Sequence, residues 1–219
     1  MGLAVFNPTS PTIDTVIHVW SRVWLWAAGV DLTIEGKENI DPDKSYVVVA
    51  NHLSTLDIMV CFMAVPLPIR YLAKKELFRI PLLAQAMRSV GIIEVDRQAR
   101  SAIHSSVNRQ AKELIEHKRS LIIYAEGTRP RDGVMKAFKK GAFTMAIASG
   151  LPVLPLSIHG TYEAAVPGKP WFRGGNVTAI VDPPISTNGM TAANADELRD
   201  RVRQIIAKNV SNLGGKVGA

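Results

Sequence analysis

The sequence lacks most of the signatures that would assign a function quickly. It has a single cysteine, Cys61, in 219 residues. One thiol excludes an intrachain disulfide framework and fits a reducing compartment. Lying inside the apolar run 58–65, Cys61 reads as a core residue. No H-x-x-x-H or C-x-x-C pattern gathers zinc ligands. No G-x-S-x-G elbow offers a serine nucleophile. Long clean apolar runs are also missing. The stretch 13–30 is broken by Asp14, His18 and Arg22, and the uncharged stretch 141–158 contains Gly150, Pro152 and Pro155. The first is too charged for a confident membrane span, and the second divides into a helix and a strand. No basic n-region or cleavage site marks a signal peptide. Aromatic residues are only 6% of the chain, and the basic region holds just Tyr71, Phe78, Tyr124 and Phe138. With no helix-turn-helix, zinc-finger or base-stacking pattern, nucleic acid is not an expected partner.

What is present is apolar bulk and a localised positive charge. The chain is 47% hydrophobic, enough for one domain with a sizeable core. The net charge of +7 is regional. Residues 70–140 carry 16 Lys and Arg against 7 Asp and Glu, and the remainder carries 10 against 12. Such a region suits an anionic membrane surface or a phosphorylated small molecule.

Apolar periodicity predicts an α/β domain. Strands are expected at 32–34, 46–50, 69–72, 91–95, 120–124, 153–158 and 177–181. Helices are expected at 12–30, 56–64, 81–88, 101–117, 137–148 and 195–209. Their alternation implies a single domain with a central, mostly parallel or mixed sheet flanked by helices. Residues 1–30 read as an N-terminal amphipathic segment, 31–210 as the folded domain and 211–219 as a flexible tail. In the first helix Asp14, His18 and Arg22 form a polar stripe, facing an apolar side that carries Trp20 and Trp24. Indoles favour the membrane–water boundary. The helix is therefore expected to lie in a membrane interface with its charges wet, the alternative being that it packs on its own core.

The stretch "VVVANHLSTLD", Val47 to Asp57, ends a buried strand with a histidine and then a carboxylate. Residues five apart meet on neither a regular helix nor a strand. A turn at "LST", with Ser54 or Thr55 capping the next helix, would bring them together. His52 would then sit at the carboxyl end of a strand, where open α/β sheets bind ligands. Asp57 could accept from one ring nitrogen and leave the other free as a base. A turn network with a satisfied histidine would use the same residues. Arg97, in "GIIEVDR", and Arg129, in "EGTRPR", each follow an expected strand. With a lysine they could form a phosphate clamp.

These stretches, in order, resemble four motif blocks of the glycerolipid acyltransferases: "NHLSTLD", "GIIEVDR", "EGTR" and "LPVLPLSI". Within that family the resemblance is to the bacterial enzymes acting on 1-acylglycerol 3-phosphate, and it covers residues 46–159. It implies transfer of a fatty acyl group from an acyl thioester to the free hydroxyl of 1-acyl-sn-glycerol 3-phosphate, giving phosphatidic acid. His52 would be the general base and Asp57 its orienting partner, with no acyl-enzyme. Arg97 and Arg129 would bind the acceptor phosphate, in a loop shaped by Glu126, Gly127 and Thr128. Lys74, or else Lys75, would add a third contact. No cofactor is implied. Acyl carrier protein or coenzyme A would carry the acyl group as co-substrate. The lysophospholipid acceptor would come from a membrane surface, at the cytoplasmic face of the inner membrane, with the protein peripheral or monotopic. The same chemistry on glycerol 3-phosphate or another lysolipid, or a non-catalytic lipid-binding role, are the alternatives. Two departures stand out: Ala125 where the family often has proline, and Ile92 and Ile93 where it often has phenylalanine.

Overall fold

The computed structural model describes residues 10–95 and 119–218. Strand β2 (Val47–Ala50) is the centre of the architecture. Its run of β-branched residues is buried along its whole length, as a strand covered on both faces requires. Val48 and Ala50 join a core with Leu25 of helix α1 (Pro11–Ala27) and with Val60 and Ala64 of helix α2 (Asp57–Ala64). Val47 and Val49 join a second core with Phe143 of helix α4 (Gly141–Ser149) and Leu198, Val202 and Ile206 of helix α6 (Ala195–Asn212). One strand thus feeds two cores, and the domain is a helix–sheet–helix sandwich.

Among the described residues seven strands make up the sheet: β1 (Val30–Glu35), β2, β3 (Ile69–Lys74), β4 (Ile93–Val95), β5 (Ser120–Tyr124), β7 (Val153–His159) and β8 (Gly175–Val181). Their order is β1-β8-β7-β2-β5-β3-β4. β7, β2, β5, β3 and β4 run parallel. β8 returns antiparallel to β7, and β1 pairs parallel with β8. The expected mixed, mostly parallel sheet is therefore present. Helix α3 (Pro81–Ser89) lies between β3 and β4, and α5 (Thr161–Ala164) follows β7.

Several boundaries differ from expectation for local reasons. The first helix stops at Ala27, because Gly29 turns the chain and Val30 already pairs with Gly175. Helix α4 begins at Gly141 instead of 137. The preceding N–H groups are taken elsewhere: Lys136 donates to Glu126 Oε2 at 2.8 Å and Lys139 to the Ala125 carbonyl at 2.8 Å. The tail, expected to be flexible, is tied down. β9 (Lys216–Val217) pairs with β6 (Val134–Met135), Gly218 N–H donates to the Met135 carbonyl, and Arg203 donates to the Gly218 carbonyl. The helix expected at 101–117 lies outside the described residues.

Helix α1 has two apolar faces. Ser10 caps it, and Ile13, Ile17 and Leu25 are buried with Ser21 along one stripe. Asp14, expected to be wet, is only partly exposed and is paired. It accepts from Arg70 Nη1 at 2.7 Å and Arg119 Nη1 at 3.2 Å, two arginines buried at the starts of β3 and β5. The other apolar face is open: Val16, Val19, Trp20, Val23, Trp24 and Trp26 are exposed, Trp26 by 79%. Trp24 meets Phe172 edge-on at 6.2 Å, which extends this surface to the exposed Trp171 and Phe172. Among the described residues no helix is long and apolar enough to cross a membrane.

Candidate active site

The parallel strands β2 and β5 are in register, with Ala50 opposite Tyr124. The chain therefore leaves both at one level, and the loops after them meet. Asn51 fixes the first loop by gripping the end of β7: its Nδ2 donates to the Ile158 carbonyl and its Oδ1 accepts from Ile158 N–H, both at 2.8 Å. The next residue, His52, is thereby held at the carboxyl edge of the sheet.

The turn at 53–56 brings His52 and Asp57 together as expected, with Nδ1 to Oδ2 at 2.9 Å. Asp57 is fully buried and four donors converge on it. Oδ2 also accepts from the N–H groups of Leu53 at 2.7 Å and Ser54 at 2.8 Å, and Oδ1 accepts from Thr161 Oγ1 at 2.5 Å. Burying a carboxylate is costly without such partners. Of the expected caps, Ser54 Oγ accepts from Leu56 N–H at 3.4 Å, just ahead of the helix. Leu56 is the N-cap and makes no side-chain cap bond, while Ser54 Oγ donates to the Ala165 carbonyl at 2.9 Å. Thr161 reaches Asp57 because Gly160 turns the chain at φ +92°, where a Cβ would lie 2.1 Å from the Asn176 carbonyl oxygen. Only glycine fits there.

His52 Nε2 makes no hydrogen bond among the described residues, and the side chain is 14% exposed. The ring is stacked on Tyr124, with centroids 3.8 Å apart and planes 9° apart.

Glu126 was expected to shape a substrate-binding loop, and its buried carboxylate holds the backbone there. Oε1 accepts from His52 N–H at 2.7 Å and Oε2 from Lys136 N–H. Both oxygens accept from backbone N–H groups, so Glu126 braces the two loops against each other. Burial raises its carboxyl to about 7, against the pull of those two N–H donors. Gly127 bends the loop at φ +79°, and a Cβ there would stand 2.9 Å from Lys139 Nζ. Thr128 and Arg129 are exposed. Arg129 Nη1 donates to Thr55 Oγ1, in the turn between His52 and Asp57. A guanidinium therefore lies at the mouth of the histidine loop. Lys74 ends β3 at this same edge of the sheet, but its side chain and all of Arg97 lie outside the described residues. Sequence reading missed Asn51, Tyr124 and Thr161. Asn51 opens the block "NHLSTLD" and Tyr124 lies two residues before "EGTR", whereas nothing near Thr161 signals a partner 104 residues away.

Among the described residues no group of three His, Cys, Asp or Glu side chains could hold a metal ion. Fold and site together define the class: an α/β sandwich with a carboxylate-oriented histidine at the ligand-binding edge of its sheet, and an arginine beside it. The chain belongs to the acyltransferase family, whose family model matches residues 31–159. It is 30% identical over 88% of its length to the 1-acyl-sn-glycerol-3-phosphate acyltransferase of Limnanthes douglasii, spanning 68% of that protein. The enzyme of that name from Borreliella burgdorferi is 29% identical over 88% of the chain, which spans 76% of it. The crystal structure of the 1-acyl-sn-glycerophosphate (LPA) acyltransferase PlsC from Thermotoga maritima superimposes with a TM-score of 0.79 at 30% identity, covering 94% of this chain and 81% of that one.

Proposed function

We propose that the protein transfers a fatty acyl group from an acyl thioester to the free hydroxyl of 1-acyl-sn-glycerol 3-phosphate, yielding phosphatidic acid. The observation that carries this reading is the His52–Asp57 pair, 2.9 Å apart at the carboxyl edge of the sheet, with Nε2 left without a hydrogen bond among the described residues. The names of the relatives support the choice of acceptor.

His52 Nε2 takes the proton of the acceptor hydroxyl as its oxygen attacks the thioester carbonyl. Asp57 holds the ring by Nδ1 and stabilises the imidazolium that forms. The tetrahedral intermediate collapses, the C–S bond breaks, and the leaving thiolate recovers the proton from His52. A thioester is already activated, so one base and two positioned substrates suffice, and positioning supplies much of the rate. Arg129 binds the acceptor phosphate together with the backbone of Gly127 and Thr128, and Arg97 and Lys74 complete the clamp. The donor is acyl carrier protein or a coenzyme A thioester. The acceptor is drawn from a lipid surface against which the exposed face of α1 docks at the cytoplasmic side of the cell membrane, with Trp20, Trp24 and Trp26 at the interface.

The test is an acyl-transfer assay offering lysophosphatidic acid and glycerol 3-phosphate with each donor, run on the wild type and on His52→Ala. Losing the base should cost roughly 10²–10⁴-fold in rate. His52→Ala retaining more than half the wild-type rate would remove the base. A preference for glycerol 3-phosphate would reassign the acceptor.

A further inference from the structure

Asp57 fixes the direction of one bond of the His52 ring but not the tilt of its plane about that bond. The face of the ring is held separately, by Tyr124 at 3.8 Å and almost parallel. We propose that Tyr124 is a positioning residue for acyl transfer: its ring sets the plane in which His52 Nε2 meets the acceptor hydroxyl and supports the imidazolium formed when that proton is taken. This rests on the reading of His52 as the base.

Tyr124 is itself held. It is the last residue of β5, in register with Ala50, two residues before the histidine. Its hydroxyl donates to Tyr71 Oη at 3.4 Å, and Tyr71 donates to the Ile58 carbonyl at 2.9 Å. The Tyr124 oxygen is left to accept from the Cys61 thiol at 3.5 Å. Ile58 and Cys61 belong to α2, the helix whose first residue is Asp57. Edge and face of the imidazole are thus referred to one helix. Burial raises both phenols well above their usual value, so both remain protonated donors.

The face of an aromatic ring carries negative potential and attracts a cation more than a neutral ring. Tyr124 therefore interacts more strongly with the imidazolium than with the imidazole, and only such differential contacts speed the chemical step. Among the described residues the ionisable neighbours of His52 are the Asp57 carboxylate at Nδ1, the Glu126 carboxyl group at its backbone N–H and the Arg129 guanidinium across Thr55. On the Tyr124 side the facing groups are the neutral Tyr71 and Cys61.

Two variants of the full-length enzyme separate face from hydroxyl. Tyr124→Leu keeps bulk and removes the π face. Tyr124→Phe keeps the face and removes the hydroxyl chain. Tyr124→Leu should lower kcat roughly three- to thirtyfold, leave the acceptor KM within about twofold (uniform binding being untouched), and move the acid limb of the kcat/KM profile to lower pH. Tyr124→Phe should keep most of the rate and the wild-type limb. Should Tyr124→Leu not fold, Tyr124→Met carries the same expectation. A wild-type kcat and unmoved limb in the folded leucine or methionine variant overturns the proposal, as does a phenylalanine variant as impaired as either. His52→Ala in the same assay keeps the two ideas apart. If it is inactive while the leucine variant is normal, only the role of Tyr124 is lost. If it is active, the base itself is lost.

Discussion

Asp57 is satisfied by four donors, so a substitution there disturbs more than the histidine. In Asp57→Asn the amide nitrogen either faces the N–H donors or turns to Thr161 Oγ1, whose hydroxyl must then accept and leave its own proton without the carboxylate. The variant should lose kcat by about 10⁴-fold if its role matches that of a triad carboxylate. It should also lose stability by roughly 1–3 kcal/mol, the cost of an unsatisfied buried group. Turnover and thermal melting measure the two effects, and an unchanged kcat would count against the pairing. Thr161→Val should lower kcat with little change in KM, and Thr161→Ser should restore it, because only the hydroxyl touches the carboxylate. Glu126 sets a pH dependence of folding. Its carboxyl lies near 7 in the folded protein against 4.5 unfolded. Ionising it costs the native state more than the unfolded one, so its contribution is full below about 4.5 and is lost as pH rises through 7. Glu126→Gln should flatten denaturation midpoints across that window, and an equally steep slope in the variant would sink the assignment. The pairing of His52 with Asp57 was legible because one turn contains both residues. The inward turn of Glu126 was not, because it depends on Lys136 N–H arriving from a loop whose path no local pattern specifies.

Among the elements, helix α1 was the least decided by its sequence. Ile13, Ile17 and Leu25 look no more apolar than Val16, Val19 and Val23, so hydropathy alone could not say which face packs. Asp14 decides it, because Arg70 and Arg119 draw that side of the helix onto the sheet. Asp14→Asn removes the shared partner of two buried guanidinium groups. Breaking a fully buried pair costs about 3–5 kcal/mol, and with Asp14 partly exposed a smaller loss is expected in denaturant titration. The packing also means that deleting the helix would remove part of the core. Replacing Trp20, Trp24 and Trp26 by serine is the cleaner test of docking. Vesicle co-sedimentation should fall while the melting temperature holds, and undiminished sedimentation would end the docking role. The longer strands were readable from largely apolar stretches of three to six residues. The two-residue strands β6 and β9 were not, since a period-2 pattern needs more residues than they have.

For the molecule as a whole, alternating elements indicated a mostly parallel or mixed sheet, and the antiparallel pairing within it has a visible cause. A parallel return usually crosses the sheet through a helix. After β7 the chain forms only the four-residue α5, and β8 comes back antiparallel. The positive charge, +7 overall, predicts that binding to anionic vesicles weakens between about 0.1 and 1 M salt, as the screening length falls from roughly 10 to 3 Å. A residue of binding carried by the indoles should survive. Salt-independent binding would mean that the charge takes no part. The enclosure of Cys61 has a practical consequence. The chain's single thiol is fully buried, and burial raises it to about 12. At neutral pH it offers labelling reagents neither access nor a thiolate. Val19→Cys, on the open face of α1, would therefore create one addressable thiol on a silent background. A depth-sensitive fluorophore attached there could report how far that helix enters a bilayer, with every native side chain but one in place.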